Sequence, residues 1–347
     1  MKIAVMAAKG SRSFTESQRQ CLESLGEVKY IEAFRPLARA DFISALHGAA
    51  LVGLTPRGTP PLDVVLLKSL PSLKAVVIPT TGSEWIDTAC LEKAGIRWEN
   101  VPGFSTDSTA EFTIGLMLSV VRKIPLAIQR SRDGGRTDTL IGRELKGQTL
   151  GVIGWGNIGS RVGELARAFG MRVMAHDILP SFQNLDSVLK ESDIVSLHVP
   201  LNVQTKGLFT IERLSQMKGA ILLNTARPGL IDSNVLLEAL QRNFISGYAF
   251  DYGYLHPEDI QSLLRHPKIV AVPHISWYTR EAVARESEGW VEKILEVGKE
   301  LISLASAAQD HGKDSAQRSA KCADKKVIVK SSGKEKPVND ENRERAE

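Results

Sequence analysis

A chain of 347 residues exceeds one typical domain, and 43% hydrophobic with 24% charged residues is the composition of an ordinary soluble protein, so two domains are expected. The formal net charge of +4 gives nucleic-acid binding no support, because the stretch from Gln309 onward, with ten basic against eight acidic residues, supplies half of it. Three scattered cysteines, Cys21, Cys90 and Cys322, make neither a disulfide framework nor a metal-ligand spacing, so no metal site is expected and a reducing cytoplasm fits.

The chain opens on a strand-like MKIAV, and Lys9 interrupts the apolar start too early for a signal peptide. Helical spacing follows from Gln18 to Leu25, then short apolar runs at 50–54 and 73–78 that read as strands. Thr106–Ser108 ahead of Ala110 and Glu111 reads as a capped helix start, running to about Arg122. Its apolar core, Phe112 to Val121, is about half the ~20 residues of a membrane span, so no membrane partner is expected. The helix is apolar on too many sides to lie on a surface, and a dimer contact would cover the excess. A second strand–helix series begins with Thr149–Ile153, a helix over 161–169, and a strand at 172–175 that ends by Asp177. Strands are further expected over 194–199, 220–224, 248–251 and 269–272, and such alternation implies parallel α/β layers. Apolar periodicity stops near Ser306, and residues 307–347 read as a disordered polar tail.

Gly154, Gly156 and Gly159 form a G-x-G-x-x-G between a predicted strand and a predicted helix, the context a dinucleotide requires. Gly154 permits the tight turn, Gly156 lets the backbone approach a pyrophosphate, and Gly159 allows close helix–strand packing. Asp177 stands eighteen residues after Gly159, where a carboxylate accepts from the ribose of NAD and repels the 2′-phosphate of NADP. NAD is therefore the expected cofactor.

GRELKGQTLGVIGWGNIG, SLHVPLNVQTKGLF, MKGAILLNTARPGLID, GYAFD and VPHISWYTREA stand in an order and spacing that resemble the D-isomer-specific 2-hydroxyacid dehydrogenases, among them phosphoglycerate, glycerate and D-lactate dehydrogenases. TTGSEWIDTACLEKAGI and NVPGFSTDSTAEFTIGLML extend the resemblance upstream, so that it spans about 51–282. It implies a Rossmann nucleotide-binding domain, 101–277, inserted in a split flavodoxin-like α/β substrate domain, 1–100 completed by 278–306. It also implies an NAD-dependent enzyme acting on a small 2-hydroxy or 2-keto acid, and a homodimer joined through the nucleotide domain.

The family's catalytic arginine falls on Arg227 and its acid/base histidine on His274. A guanidinium holds a carboxylate bidentately, and an imidazole exchanges a proton near neutral pH. The resemblance carries cofactor contacts onto Asn157, Ile158, Asp177, Pro200, Thr225, Ala226, Asp251, Ser276 and Trp277. Thr81, Gly82 and Ser83 match its substrate-carboxylate loop, Arg57 is a candidate for a second anionic group, and His198 reads as structural. Two positions depart from the pattern. His256, before Pro257, stands where the family's glutamate partners the histidine, and Pro228 follows Arg227 in place of a glycine. A neutral partner at His256 implies ketone reduction governed by a pKa near or below the ~6.5 of free histidine. These departures and the long tail keep open a second class, an NAD(H)-binding regulatory or corepressor-like protein of the same fold.

Overall fold

The structure is a computed structural model that describes residues 1–135, 140–252 and 260–328, with side chains as far as 307. Two parallel sheets carry it. The first has the order β2-β1-β3-β4-β5, from β1 (Lys2–Ala7), β2 (Glu27–Glu32), β3 (Leu51–Gly53), β4 (Ala75–Val77) and β5 (Arg97–Glu99). This is the flavodoxin-like arrangement, with the central strands β1, β3 and β4 buried on both faces. The second comprises β6 (Thr149–Ile153), β7 (Arg172–His176), β8 (Ile194–Leu197), β9 (Ala220–Asn224), β10 (Ile245–Asp251) and β11 (Ile269–Val272), ordered β11-β10-β9-β8-β6-β7.

The chain passes from the first sheet to the second through the helix Thr106–Val121 and returns through the helix that begins at Arg280. The returning helix packs Trp290, Val291, Ile294 and Val297 against one face of the first sheet. A Cβ on Gly53 of β3 would approach the Trp290 ring to 2.9 Å, so the glycine is what lets this helix lie close. The first layer is thus built from both ends of the chain.

Among the described residues the second sheet has no outer strand beside β7, where a doubly wound dinucleotide domain carries one beside its second strand. The short span from Asp177 to Leu185 leaves no length for it. Gln183 serves the exposed edge of β7 instead: its N–H donates to the Ala175 carbonyl at 3.1 Å, and its side-chain oxygen accepts from the Ala175 N–H at 2.8 Å.

Two expectations need correcting. The helix Thr106–Val121 is largely covered by its own layer, with Ala110, Ile114, Leu116, Met117 and Val121 packed on the β6–β8–β9 core. The uncovered apolar side chains lie one helix later. The last helix runs to Ile328, into the stretch expected as a disordered tail, whose remainder, 329–347, lies outside the described residues. Residues 307–328 are too polar to build a core but rich in Ala, Lys and Gln, which are good helix formers. Extending an existing helix also avoids the cost of nucleating a new one. Among the described side chains of this helix, those as far as Leu301 join the packed layer, and a chain ending at Ser306 should fold and keep its activity. Thermal unfolding and kcat/KM of that truncation check this, and loss of either would assign the extension a structural role.

Candidate active site

β6 runs into Gly154, whose φ of 94° lies in the left-handed region and whose Cβ would meet the His198 carbonyl oxygen at 2.6 Å. A Cβ on Gly159 would collide with the Gly154 carbonyl oxygen, so the protein's own packing demands both glycines. Gly156 is different: apart from its immediate chain surroundings, no atom of the described residues lies within 4 Å of a Cβ built there. The open space above its backbone is room that a ligand can use. Gly156 also starts the helix Asn157–Ala168 without a side-chain cap, leaving its first N–H groups and positive dipole end facing that space. Asp177 is tied to the same turn, accepting from the Trp155 N–H at 2.7 Å and from the Ile178 N–H at 2.8 Å. An anion cradle beside an anchored carboxylate fits the pyrophosphate and ribose of a dinucleotide.

Beside the cradle, and sharing Ile158 of its helix, lies a cavity of about 310 Å³ between the two layers, whose wall does not include Gly156, Asn157 or Asp177. The nucleotide layer contributes Ile158, Pro200, Thr225, Ala226, Arg227 and His274 to its walls, and the first layer contributes Thr81 and Gly82. Ser276 and Trp277 close one end. Arg227 follows β9 in an extended conformation, φ −142° and ψ 135°, the region that Pro228 imposes on the residue before it. Asn224 fixes this turn, donating to the Arg227 carbonyl at 2.9 Å and accepting from the Ala226 N–H at 3.2 Å. The guanidinium then crosses the cleft, where its Nε donates to Glu84 of the first layer. A Cβ on Gly82 would obstruct both partners, so this glycine keeps the crossing open.

His274 follows β11 with φ 51°, a left-handed conformation that costs a non-glycine residue on the order of 1–3 kcal/mol and concentrates at functional sites. Its Nδ1 lies 3.8 Å from Asp251 Oδ1 at the end of β10. Asp251 is buried; its Oδ2 accepts from the Ser276 N–H at 3.0 Å, while Oδ1 has no hydrogen bond among the described residues. Burial holds the His274 pKa below its ordinary value; Asp251 and Glu84 push it up, Arg227 and Arg57 down. His198 also lines the cavity, but burial lowers its pKa to about 3, and its Nε2 is 2.8 Å from Ser196 Oγ. It stays neutral, which suits the structural role expected of it.

Some expected residues stand elsewhere. Arg57 is exposed, its guanidinium 5.2 Å from the centre of the Phe34 ring, and it is not on the cavity wall. Ser83 is off the wall as well, and His256 lies outside the described residues. Glu84 and Glu286 are on the wall without having been expected there.

The sequence model of the D-isomer-specific 2-hydroxyacid dehydrogenase NAD-binding domain matches residues 114–276. The hydroxypyruvate reductase of Thermotoga maritima is 37% identical over 258 residues, covering 68% of this chain and 84% of that protein. The chain belongs to the D-isomer-specific 2-hydroxyacid dehydrogenases. The D-3-phosphoglycerate dehydrogenase of Bacillus subtilis is 34% identical over 297 residues, 79% of this chain but 56% of that longer protein. A D-lactate dehydrogenase from Aquifex aeolicus, solved with NAD and lactic acid, superposes with a TM-score of 0.71 at 27% identity, over 87% of this chain and 95% of that one. The second sheet of this dehydrogenase is accordingly its nicotinamide-cofactor layer. Among its described residues no helix is long and apolar enough to cross a membrane.

Proposed function

We propose that this dehydrogenase transfers hydride between NAD(H) and a small D-2-hydroxy or 2-keto acid, with His274 as acid/base and Arg227 binding the carboxylate and polarising the carbonyl. The observation that carries the reading is the meeting of Arg227 and His274 in one cleft, whose wall also includes Ile158 from the first turn of the helix that starts at the anion cradle. The nicotinamide, when bound, supplies or accepts the hydride. In reduction His274 delivers its proton to the carbonyl oxygen as that oxygen becomes a hydroxyl, and in oxidation it takes the proton back. Arg227 draws the substrate carboxylate toward it in competition with Glu84. NADH oxidation with a panel of small 2-keto acids tests this. Intact NADH binding without turnover of any acid would favour the regulatory reading instead.

Asp177 supports NAD over NADP, since its carboxylate is anchored where a 2′-phosphate would sit. NADPH should bind roughly tenfold more weakly than NADH or worse, a difference of ~1.4 kcal/mol, and Asp177→Ala should narrow the gap. Equal affinities in a fluorescence titration of the parent would remove Asp177 from this role.

We further propose a homodimer joined through the nucleotide layer, in keeping with a cytoplasmic enzyme. The helix Ile124–Arg132 has no buried residue, and Ile124, Leu126 and Ile128 are 42%, 39% and 49% exposed. Ile124 and Ile128, four apart on one face, form the kind of exposed apolar pair that marks a contact surface. Light scattering at micromolar concentration should give twice the chain mass, and Ile124→Asp with Ile128→Asp should give the monomer. A monomeric parent would refute the dimer.

A further inference from the structure

The cleft holds a carboxylate for which the reaction above has no use. Glu286 lines the same cavity as His274, Arg227 and Trp277. It sits one helical turn from Ala282 on one side and from Trp290 on the other, both buried at 0% and 4% exposure. Side chains four apart share a helix face, so Glu286 occupies the inward stripe that Ile294 and Val297 continue. An aliphatic residue is the ordinary occupant of such a position. Glu286 has no hydrogen bond or ion pair among the described residues, and burial raises its pKa to about 7. A carboxylate placed at a cavity wall without a partner gains most from a donor that arrives with the ligand.

The other charges on the cavity wall point the same way, while Arg57, whose charge reaches His274, stands off the wall against Phe34. Arg227 already has Glu84 as its counter-ion, and Asp251 lies behind His274. The substrate carboxylate has Arg227 to meet, but a second carboxylate would face Glu286. A cation at the far end of the substrate would neutralise it.

We propose that Glu286 is a specificity-determining residue that selects 2-keto acids, and the matching 2-hydroxy acids, whose side chain ends in a hydrogen-bond donor, a cationic guanidinium or ammonium above all. The proposal rests on the dehydrogenase reading and names the substrate class for that same site. It assigns the second recognition element to an acid on the last helix, where the sequence had suggested Arg57 and a second anion.

The test compares kcat/KM for 2-oxo-5-guanidinopentanoate, 2-oxopentanoate and 2-oxoglutarate in the parent, Glu286→Gln, Glu286→Leu and Glu286→Asp. The parent should prefer the guanidino acid over 2-oxopentanoate by tenfold or more and use 2-oxoglutarate worst. Glu286→Leu should bring the first ratio to about one or invert it, Glu286→Gln should fall between, and Glu286→Asp should retain part of the preference. A structural role alone would scale all three substrates together and leave the ratios fixed. NADH titration of each variant confirms that the nucleotide layer is folded. Binding of each acid is read separately, from the fluorescence of enzyme-bound NADH. A parent that binds the guanidino acid preferentially but reduces none of the acids overturns the dehydrogenase reading and keeps this proposal. A parent that prefers 2-oxopentanoate, or ratios unchanged in Glu286→Leu, overturns the proposal itself.

Discussion

His274→Gln should lower kcat for ketone reduction by a factor on the order of 10² to 10⁴, the usual loss when a positioned acid/base is removed. Glutamine keeps a polar group near the carbonyl oxygen but has no titrating proton to give. NADH affinity should change little, because the anion cradle is built on Gly156 and the helix Asn157–Ala168, away from this side chain. The parent's pH dependence follows from the direction of the His274 shift. Burial depresses its pKa, so the imidazolium that reduction requires is lost at a pH below the ordinary histidine value. Reduction should therefore fade as pH rises through that lowered value, while oxidation, which requires the neutral ring, should be sustained above it. Asp251 opposes the depression, and its unbonded Oδ1 is the part of the carboxylate nearest His274. Position 256 lies outside the described residues, and the family pattern is what makes it the histidine's partner; on that pattern a Glu there adds a second negative charge. His256→Glu should move the reductive limb to higher pH, by one unit per ~1.4 kcal/mol of added interaction. Profiles of kcat/KM against pH that overlay for parent and variant would show that residue 256 does not face the histidine.

The nucleotide layer was legible in the sequence because its constraints are local. A G-x-G-x-x-G between a strand and a helix forces a turn geometry that needs glycine, and Gly154 and Gly159 prove to be sterically obligatory. Strands buried on both faces give unbroken apolar runs, so β6 and β9 fall where those runs predict, and the half-buried β11 keeps an apolar run as well. Arg227 and His274 follow the ends of strands β9 and β11, where motifs alone located them. What escaped was set by contacts distant in sequence. Glu84 stands two residues from a glycine already singled out, yet only the closure of the two layers makes it the partner of Arg227. Arg57 illustrates the converse, since its segment matches the family while its guanidinium turns outward onto Phe34. Glu286 did leave a trace: an acid interrupts an apolar stripe spaced by four, at Ala282, 286, Trp290 and Ile294. The eye reads such an interruption as a solvent-facing residue until the helix is seen to pass a cavity.

Arg227→Gln should cost roughly 30-fold to several thousand-fold in kcat/KM, because truncating one partner of a hydrogen-bonded charge pair costs roughly 2–5 kcal/mol, at ~1.4 kcal/mol per factor of ten. Two losses combine. The substrate carboxylate loses its bidentate donor, and Glu84 is left as an uncompensated negative charge facing it. Arg227→Lys should recover little, because an ammonium cannot reproduce the planar fork that engages a carboxylate while polarising a neighbouring carbonyl. The second loss separates from the first in a double-mutant cycle. Glu84→Gln alone removes the internal competitor for Arg227, so KM for a 2-keto acid should fall while kcat changes less. Arg227→Gln with Glu84→Gln removes the repulsion as well as the attraction, so the double variant should be more active than Arg227→Gln alone. Such recovery is the signature of a carboxylate that competes with the substrate for one guanidinium. Purely additive effects would mean that Glu84 and the substrate carboxylate never meet the same face of Arg227, and that the ion pair across the cleft serves only to hold the two layers together.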